Sequence, residues 1–141
     1  MDLTAVFDIG KTHKKFLLFD ENLETVVEDS IKIDEIEDED GFPCDDLNAI
    51  SEWIKTKVDT DAKIQKLNFT TYGASLVHLD KNRKPITPLY NYLKPIPPEV
   101  QFEFYEKYGP ADKFAEETSS PNLGMLNSGL QLFWLKKAKP K

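Results

Sequence analysis

The sequence predicts a domain of α/β or α+β type on three observations. Three apolar runs joined by short polar turns fill the first 33 residues, an amphipathic stretch of helical period follows residue 46, and further strand and helix patterns come after it. Leu3 to Phe7 is an apolar run closed by Asp8, the pattern of a buried strand. Ile9-Gly10-Lys11-Thr12-His13 follows as a polar turn that carries a glycine. Lys14 to Asp20 is a second apolar run through Phe16, Leu17, Leu18 and Phe19, ended by an Asp20-Glu21-Asn22 turn. Leu23 to Ile33 then alternates apolar positions at Val27, Ile31 and Ile33. Strands connected this tightly pair as an antiparallel meander.

Residues 34–46 hold eight acidic side chains together with Gly41 and Pro43, and read as an exposed loop. Asp45 or Asp46 caps the helix that follows, since a carboxylate accepts from free N–H groups and suits the positive end of the helix dipole. Leu47, Ile50, Trp53 and Ile54 keep one face of that helix apolar. Leu67 to Thr71 is the next strand. Tyr72-Gly73 leads into another through Leu76, Val77 and Leu79, and Asp80-Lys81-Asn82-Arg83 is a hairpin-type turn. Prolines at 85, 88, 95, 97 and 98 break the chain repeatedly, so residues 84–98 read as mostly extended or loop. Pro97 or Pro98 opens a helix through Val100, Phe104 and Tyr108, stopped by Gly109-Pro110. A last helix runs from Met125 to Lys137, with Leu126, Leu130, Phe133 and Trp134 on one face.

Composition bounds the function. The chain has 141 residues, the size of one domain (~100–150 residues is commonest), and a net charge of −7 from 18 basic and 25 acidic residues. An acidic balance argues against nucleic acid as the main partner, because phosphate neutralisation needs a basic face. No apolar run approaches the ~20 residues of a membrane span, and Met1-Asp2-Leu3 does not open a signal peptide. A single cysteine, Cys44, forms no internal disulfide and suits a reducing cytoplasm. With only His13 and His78, little is left for a histidine metal site.

The constellation that carries chemistry is Asp8-Ile9-Gly10-Lys11-Thr12-His13-Lys14-Lys15, set between two buried strands. Gly10 lets the backbone turn tightly and present N–H groups, Thr12 adds a hydroxyl, and Lys15 places positive charge beside a phosphate. Asp8, at the strand end, suits Mg²⁺, which takes one or two carboxylates together with phosphate oxygens. The alternative is a solvated polar hairpin with a lysine cluster; the spacing is not that of a Walker loop. His78 reads as a sheet-surface residue and Cys44 as a plain thiol. The acidic run lacks the spacing of a Ca²⁺ loop. Phe102, Phe104, Tyr105 and Tyr108 form an aromatic cluster that reads as core in preference to a sugar-stacking surface.

Ala5-Val6-Phe7-Asp8-Ile9-Gly10-Lys11-Thr12, followed by Phe16-Leu17-Leu18-Phe19-Asp20, resembles the first phosphate motif of the FGGY carbohydrate kinases. Asp, Gly and the second Thr of that pattern are kept, and Lys11 stands where the family has its first Thr. Thr70-Thr71-Tyr72-Gly73, Lys84-Pro85-Ile86 and Pro88-Leu89-Tyr90-Asn91-Tyr92 resemble the family's sugar-side landmark, with Thr71-Tyr72-Gly73 most like the rhamnulose and fuculose kinase branch. Tyr92 replaces an acidic residue there. Leu132-Phe133-Trp134-Leu135-Lys136-Lys137 resembles the closing helix of the same region.

The resemblance implies a ribonuclease H-like lobe of the actin/hexokinase superfamily, a mixed sheet with flanking helices, spanning residues 1–141 as an incomplete N-terminal lobe. It implies ATP and Mg²⁺ as cofactors and transfer of the γ-phosphoryl to a small sugar, a ketose. Asp8 would position the metal, with Gly10, Thr12 and Lys15 around the phosphates. Gly73, Ala74, Tyr90 and Asn91 would line the sugar side, the first two through backbone or shape. The family's general base falls beyond the equivalent of Lys141, so the expected partners are the sugar and the remaining kinase lobes, with homo-oligomerisation left open. A half-built cleft should not turn over, because phosphoryl transfer depends on positioning and charge neutralisation. The contrasting reading is a non-catalytic binding or assembly module; a third is a sugar-binding protein that ignores Mg²⁺.

Overall fold

The computed structural model describes residues 2–59 and 63–138. Two compact units divide the chain, Met1–Tyr72 and Gly73–Lys141.

The first unit is built on a four-stranded sheet of β1 (Leu3–Ile9), β2 (Lys14–Phe19), β3 (Thr25–Ile31) and β6 (Ile64–Thr71), in the order β3-β2-β1-β6. The meander appears as read: β1 pairs antiparallel with β2, and β2 with β3. β6 lies parallel to β1, which makes the sheet mixed. A parallel neighbour requires a crossover, and the helix α1 (Leu47–Val58) lies on that path. Alternation decides which face is buried. Leu3, Ala5, Phe7 and Ile9 of β1 meet Phe16 and Leu18 of β2, and α1 lays Trp53 on the same face. Phe7 is the hub: its ring lies 5.1 Å from Phe16, 5.4 Å from Trp53 edge-on, and 5.3 Å from Phe69.

The acidic segment departs from the expected exposed loop. β4 (Glu35–Glu37) and β5 (Pro43–Asp45) pair as a small hairpin, and Asp38, Cys44 and Asp45 are buried. The Asp38 side chain closes its turn by accepting from the backbone N–H groups of Asp40 and Phe42. Self-solvation of this kind lets an acidic stretch fold back on itself. Of the two candidate caps, Asp46 caps α1, its Oδ1 accepting from Asn48 and Ala49. Asp45 is used elsewhere.

The second unit contains α2 (Pro98–Tyr108), α3 (Ala111–Thr118), a 3₁₀ turn (Gly124–Leu126) and α4 (Ser128–Ala138). Its core is Tyr90, Ile96, Phe104, Met125, Leu130 and Trp134. Of the four aromatics read as core, Phe104 is buried and Tyr105 half-buried, while Phe102 (68%) and Tyr108 (49%) are exposed, which corrects the core reading for those two. Three further expectations are corrected. Leu76 to Leu79 forms no strand, only a single bridge from Leu79 to Pro85; Pro85 and Pro88 lack the N–H groups a second hairpin strand would donate. The Asp80–Arg83 turn itself is present, its Asp80 side chain accepting from Asn82 and Lys84. α3 follows Pro110 where the Gly109-Pro110 stop concealed a second helix start. Met125 and Leu126 sit in the 3₁₀ turn, because extended Asn127 intervenes and its Oδ1 accepts from the Leu130 N–H as a new cap.

Replacing Phe7 by Ala removes the ring that joins β2, β6 and α1. The expected loss of unfolding free energy is about 3–5 kcal/mol, read from urea denaturation.

Candidate functional site

Asp8, the penultimate residue of β1, lies on the half-buried face of the sheet, opposite the face that carries Phe7 and Ile9. Lys15 of β2 is its antiparallel partner, and Thr70 of β6 its parallel one, so the three form one cross-strand row. Neither Asp8 nor Lys15 enters an ion pair among the described residues. Residues 10–13 make the turn between them, with Thr12 and His13 exposed. Gly10 is required by space: a Cβ there would lie 2.7 Å from the His13 carbonyl oxygen. Any side chain at residue 10 therefore forces the turn to open.

Lys14 points the other way, in phase with Phe16 and Leu18, and is fully buried. Its ammonium donates to Asp45 Oδ1 at 2.8 Å and to the Lys11 carbonyl at 3.2 Å. Asp45 Oδ2 accepts from Lys11 Nζ at 2.6 Å and from the Tyr72 hydroxyl at 2.7 Å, and Lys11 also reaches Glu35 at 2.6 Å. Two cations and two anions thus neutralise one another at the base of the turn. Burial opposes the charge on Asp45, yet the hydrogen bonds from Lys11, Lys14 and Tyr72 outweigh it and hold the carboxyl below its ordinary range. Burial likewise works against the Lys11 ammonium, and Asp45 and Glu35 prevail, raising its pKa. Cys44 beside them is pushed up, first by burial and then by Asp38 and Asp45, which leaves it an inert thiol.

This network escaped the sequence reading, which treated the lysines as one solvated or phosphate-facing cluster. A signal was present. Lys14 falls on the core-facing phase of β2, and a lysine there needs a buried anion.

The sugar-side candidates belong to the second unit. Gly73 is exposed, and Ala74 adopts the left-handed region at φ 59°. Asn91 is buried, its side chain accepting from the Leu93 N–H. Tyr90 is a core ring, 1% exposed and edge-on to Trp134 at 4.9 Å. Ser75 Oγ donates to the Tyr90 carbonyl at 3.3 Å, tying the two segments together. Among the described residues no group of three or more His, Cys, Asp or Glu side chains is placed to hold a metal, and no helix is long and apolar enough to cross a membrane.

Solved structures share the fold. A carbohydrate kinase from Novosphingobium aromaticivorans superposes with a TM-score of 0.81 at 26% identity, covering 98% of this chain. The fold is that of a carbohydrate kinase. A gluconate kinase from Lactobacillus acidophilus matches with a TM-score of 0.77 at 20% identity, and a glycerol kinase with ADP from Plasmodium falciparum with 0.70 at 19%; each covers 99% of this chain. At those identities the likeness is one of fold. The chain spans about 30% of the length of the kinase structures it matches, 30% for the first and 29% for the other two. No family model matches the sequence, and no curated protein matches it significantly.

Asp45→Asn leaves the buried Lys14 without its anion and is expected to cost about 3–5 kcal/mol near neutral pH. The sign of the pH dependence follows from the lowered folded-state pKa of Asp45. Its stabilisation is complete above the unfolded value of about 3.9 and is lost as pH falls through the folded one. The gap between wild type and Asp45→Asn in urea midpoints should therefore be wide at pH 7 and narrow below about pH 4. Lys11, raised, contributes stability that persists up to about pH 10.4 and declines above it.

Proposed function

We propose that this chain is the leading part of a carbohydrate kinase that uses ATP and Mg²⁺ to phosphorylate a small sugar, a ketose, with further lobes completing the cleft. The observation that carries the reading is the 0.81 TM-score over 98% of the chain to a carbohydrate kinase, joined to the Asp8-Gly10-Thr12-Lys15 row and turn. The residues fit the nucleotide's phosphates and metal on their own chemistry. Among the described residues Asp8 is a half-buried carboxylate that enters no ion pair and Lys15, its cross-strand neighbour, is a cation that enters none, and the turn has no room for a Cβ at Gly10. When bound, MgATP supplies the activated phosphoryl group. Asp8 would hold the metal through its water shell, the turn's N–H groups and Thr12 would receive phosphate oxygens, and Lys15 would offset their charge.

Lys11 takes no phosphate in this reading, because Asp45 and Glu35 already engage its ammonium. The residue that replaces the family's first Thr works as a brace beneath the turn. Gly73, Ala74 and Asn91 are assigned to the sugar side, with Tyr90 supporting them from the core. The cytoplasm is the compartment this chemistry suits, since ATP and reduced thiols are held there.

Amide NMR with Mg²⁺ and a non-hydrolysable ATP analogue tests the reading. Shifts are expected across Asp8–Lys15, a Mg²⁺ dependence that Asp8→Asn removes, and about tenfold weaker binding in Lys15→Met, the size of one charge-assisted contact. A dispersed spectrum with no response in that segment would favour the non-catalytic module instead.

A further inference from the structure

Gln131 is the fourth residue of α4 and is 1% exposed, an unusual depth for a carboxamide. Its Nε2 donates to the Ala74 carbonyl at 2.9 Å and to the Met125 carbonyl at 3.1 Å. Its Oε1 is buried and has no partner among the described residues. An apolar side chain of the same length would fill this place without an orphaned acceptor. What the carboxamide alone supplies is the pair of N–H bonds, and one of them reaches 57 residues back along the chain.

The residue it reaches is itself unusual. Ala74 sits at φ 59°, a conformation that an alanine adopts only when its surroundings hold it there. Ser75, next in the chain, donates to the Tyr90 carbonyl, and Tyr90 rests edge-on against Trp134. Gln131 and Trp134 are three residues apart and so share one face of α4. That face therefore grips the Gly73–Ser75 turn through Gln131 and the Tyr90–Asn91 segment through Trp134.

We propose that Gln131 is a positioning residue for sugar binding: its Nε2 holds Ala74 in the left-handed conformation and thereby fixes the direction of the Gly73–Ala74 backbone that faces the sugar. This rests on the assignment of Gly73, Ala74 and Asn91 to the sugar side. A turn that must be strained to present its backbone is pre-organised by a buried donor, so that binding does not have to order it.

The test uses the whole chain and three polyols as probes: D-xylulose, D-gluconate and glycerol. In wild type, the three-bond HN–Hα coupling and Cβ shift of Ala74 should report positive φ, and the Gln131 side-chain amide protons should be protected from exchange. Gln131→Met should keep the Trp134 and Phe104 signals, lose the positive-φ signature at Ala74, and weaken binding of the preferred polyol at least fivefold. Adding Ala74→Gly, which adopts positive φ without strain, should restore part of that loss. Unchanged Ala74 couplings and affinity in Gln131→Met would overturn the assignment. Should that variant fail to fold, rapid exchange of the Gln131 amide protons in wild type would overturn it as well. Wild type that responds to none of the polyols at Gly73–Ser75 or Asn91 would instead overturn the sugar-side reading, and the Ala74 couplings would still decide the conformational part.

Discussion

The Asp45 carboxylate is the point on which the first unit turns. It accepts from Lys14, Lys11 and Tyr72, and so joins the start of β2, the β1–β2 turn, the end of β5 and the end of the sheet's parallel strand. A buried carboxylate is costly unless its lone pairs are filled, and a buried lysine is costly unless its charge is met. Each group here makes the other tolerable. The consequence is geometric: the turn at residues 10–13 is pinned from below by Lys14 on the Lys11 carbonyl, and squeezed from within by the approach of His13 to Gly10.

Burial sorts the lysines of that segment by function. Lys14 and Lys11 are consumed by structure, one fully buried and one braced between two carboxylates, while Lys15 projects from the opposite face beside Asp8. Period-two alternation achieves the separation, since neighbouring residues of a strand face opposite ways. The outward face of the segment thus carries one lysine, with no ion pair among the described residues, set across the ladder from Asp8 rather than in a diffuse basic patch. The second unit applies a similar division. α4 commits Leu130 and Trp134 to the core and sends the Gln131 carboxamide to the backbone of Ala74.

Much of the fold was legible in the chain. Apolar runs located β1 and β2, alternation located β3, and helical period located α1 and α2, because each of these elements announces itself within ten or so residues. The strand read at Leu67–Thr71 begins three residues earlier, at Ile64. The β4–β5 hairpin was hidden by its acidic composition, whose burial depends on backbone donors and distant lysines. The supposed strand at Leu76–Leu79 failed because its partner segment lacks N–H groups, and the break at Asn127 reflects a cap that outcompeted a continuous apolar stripe.

By itself the sequence determined the Asp8–Lys15 segment as a Gly-bearing turn between buried strands, and the motif resemblance that led to a carbohydrate-kinase fold. Local chemistry suffices for that, since a strand's period and a glycine's freedom act over a few residues. Tertiary structure alone decided which lysine answers to which carboxylate, why Lys11 serves the scaffold, and how Gln131 comes to hold Ala74. Those outcomes depend on groups 24 to 57 residues apart, whose pairing is settled by the burial and geometry of the assembled units and by no pattern along the chain.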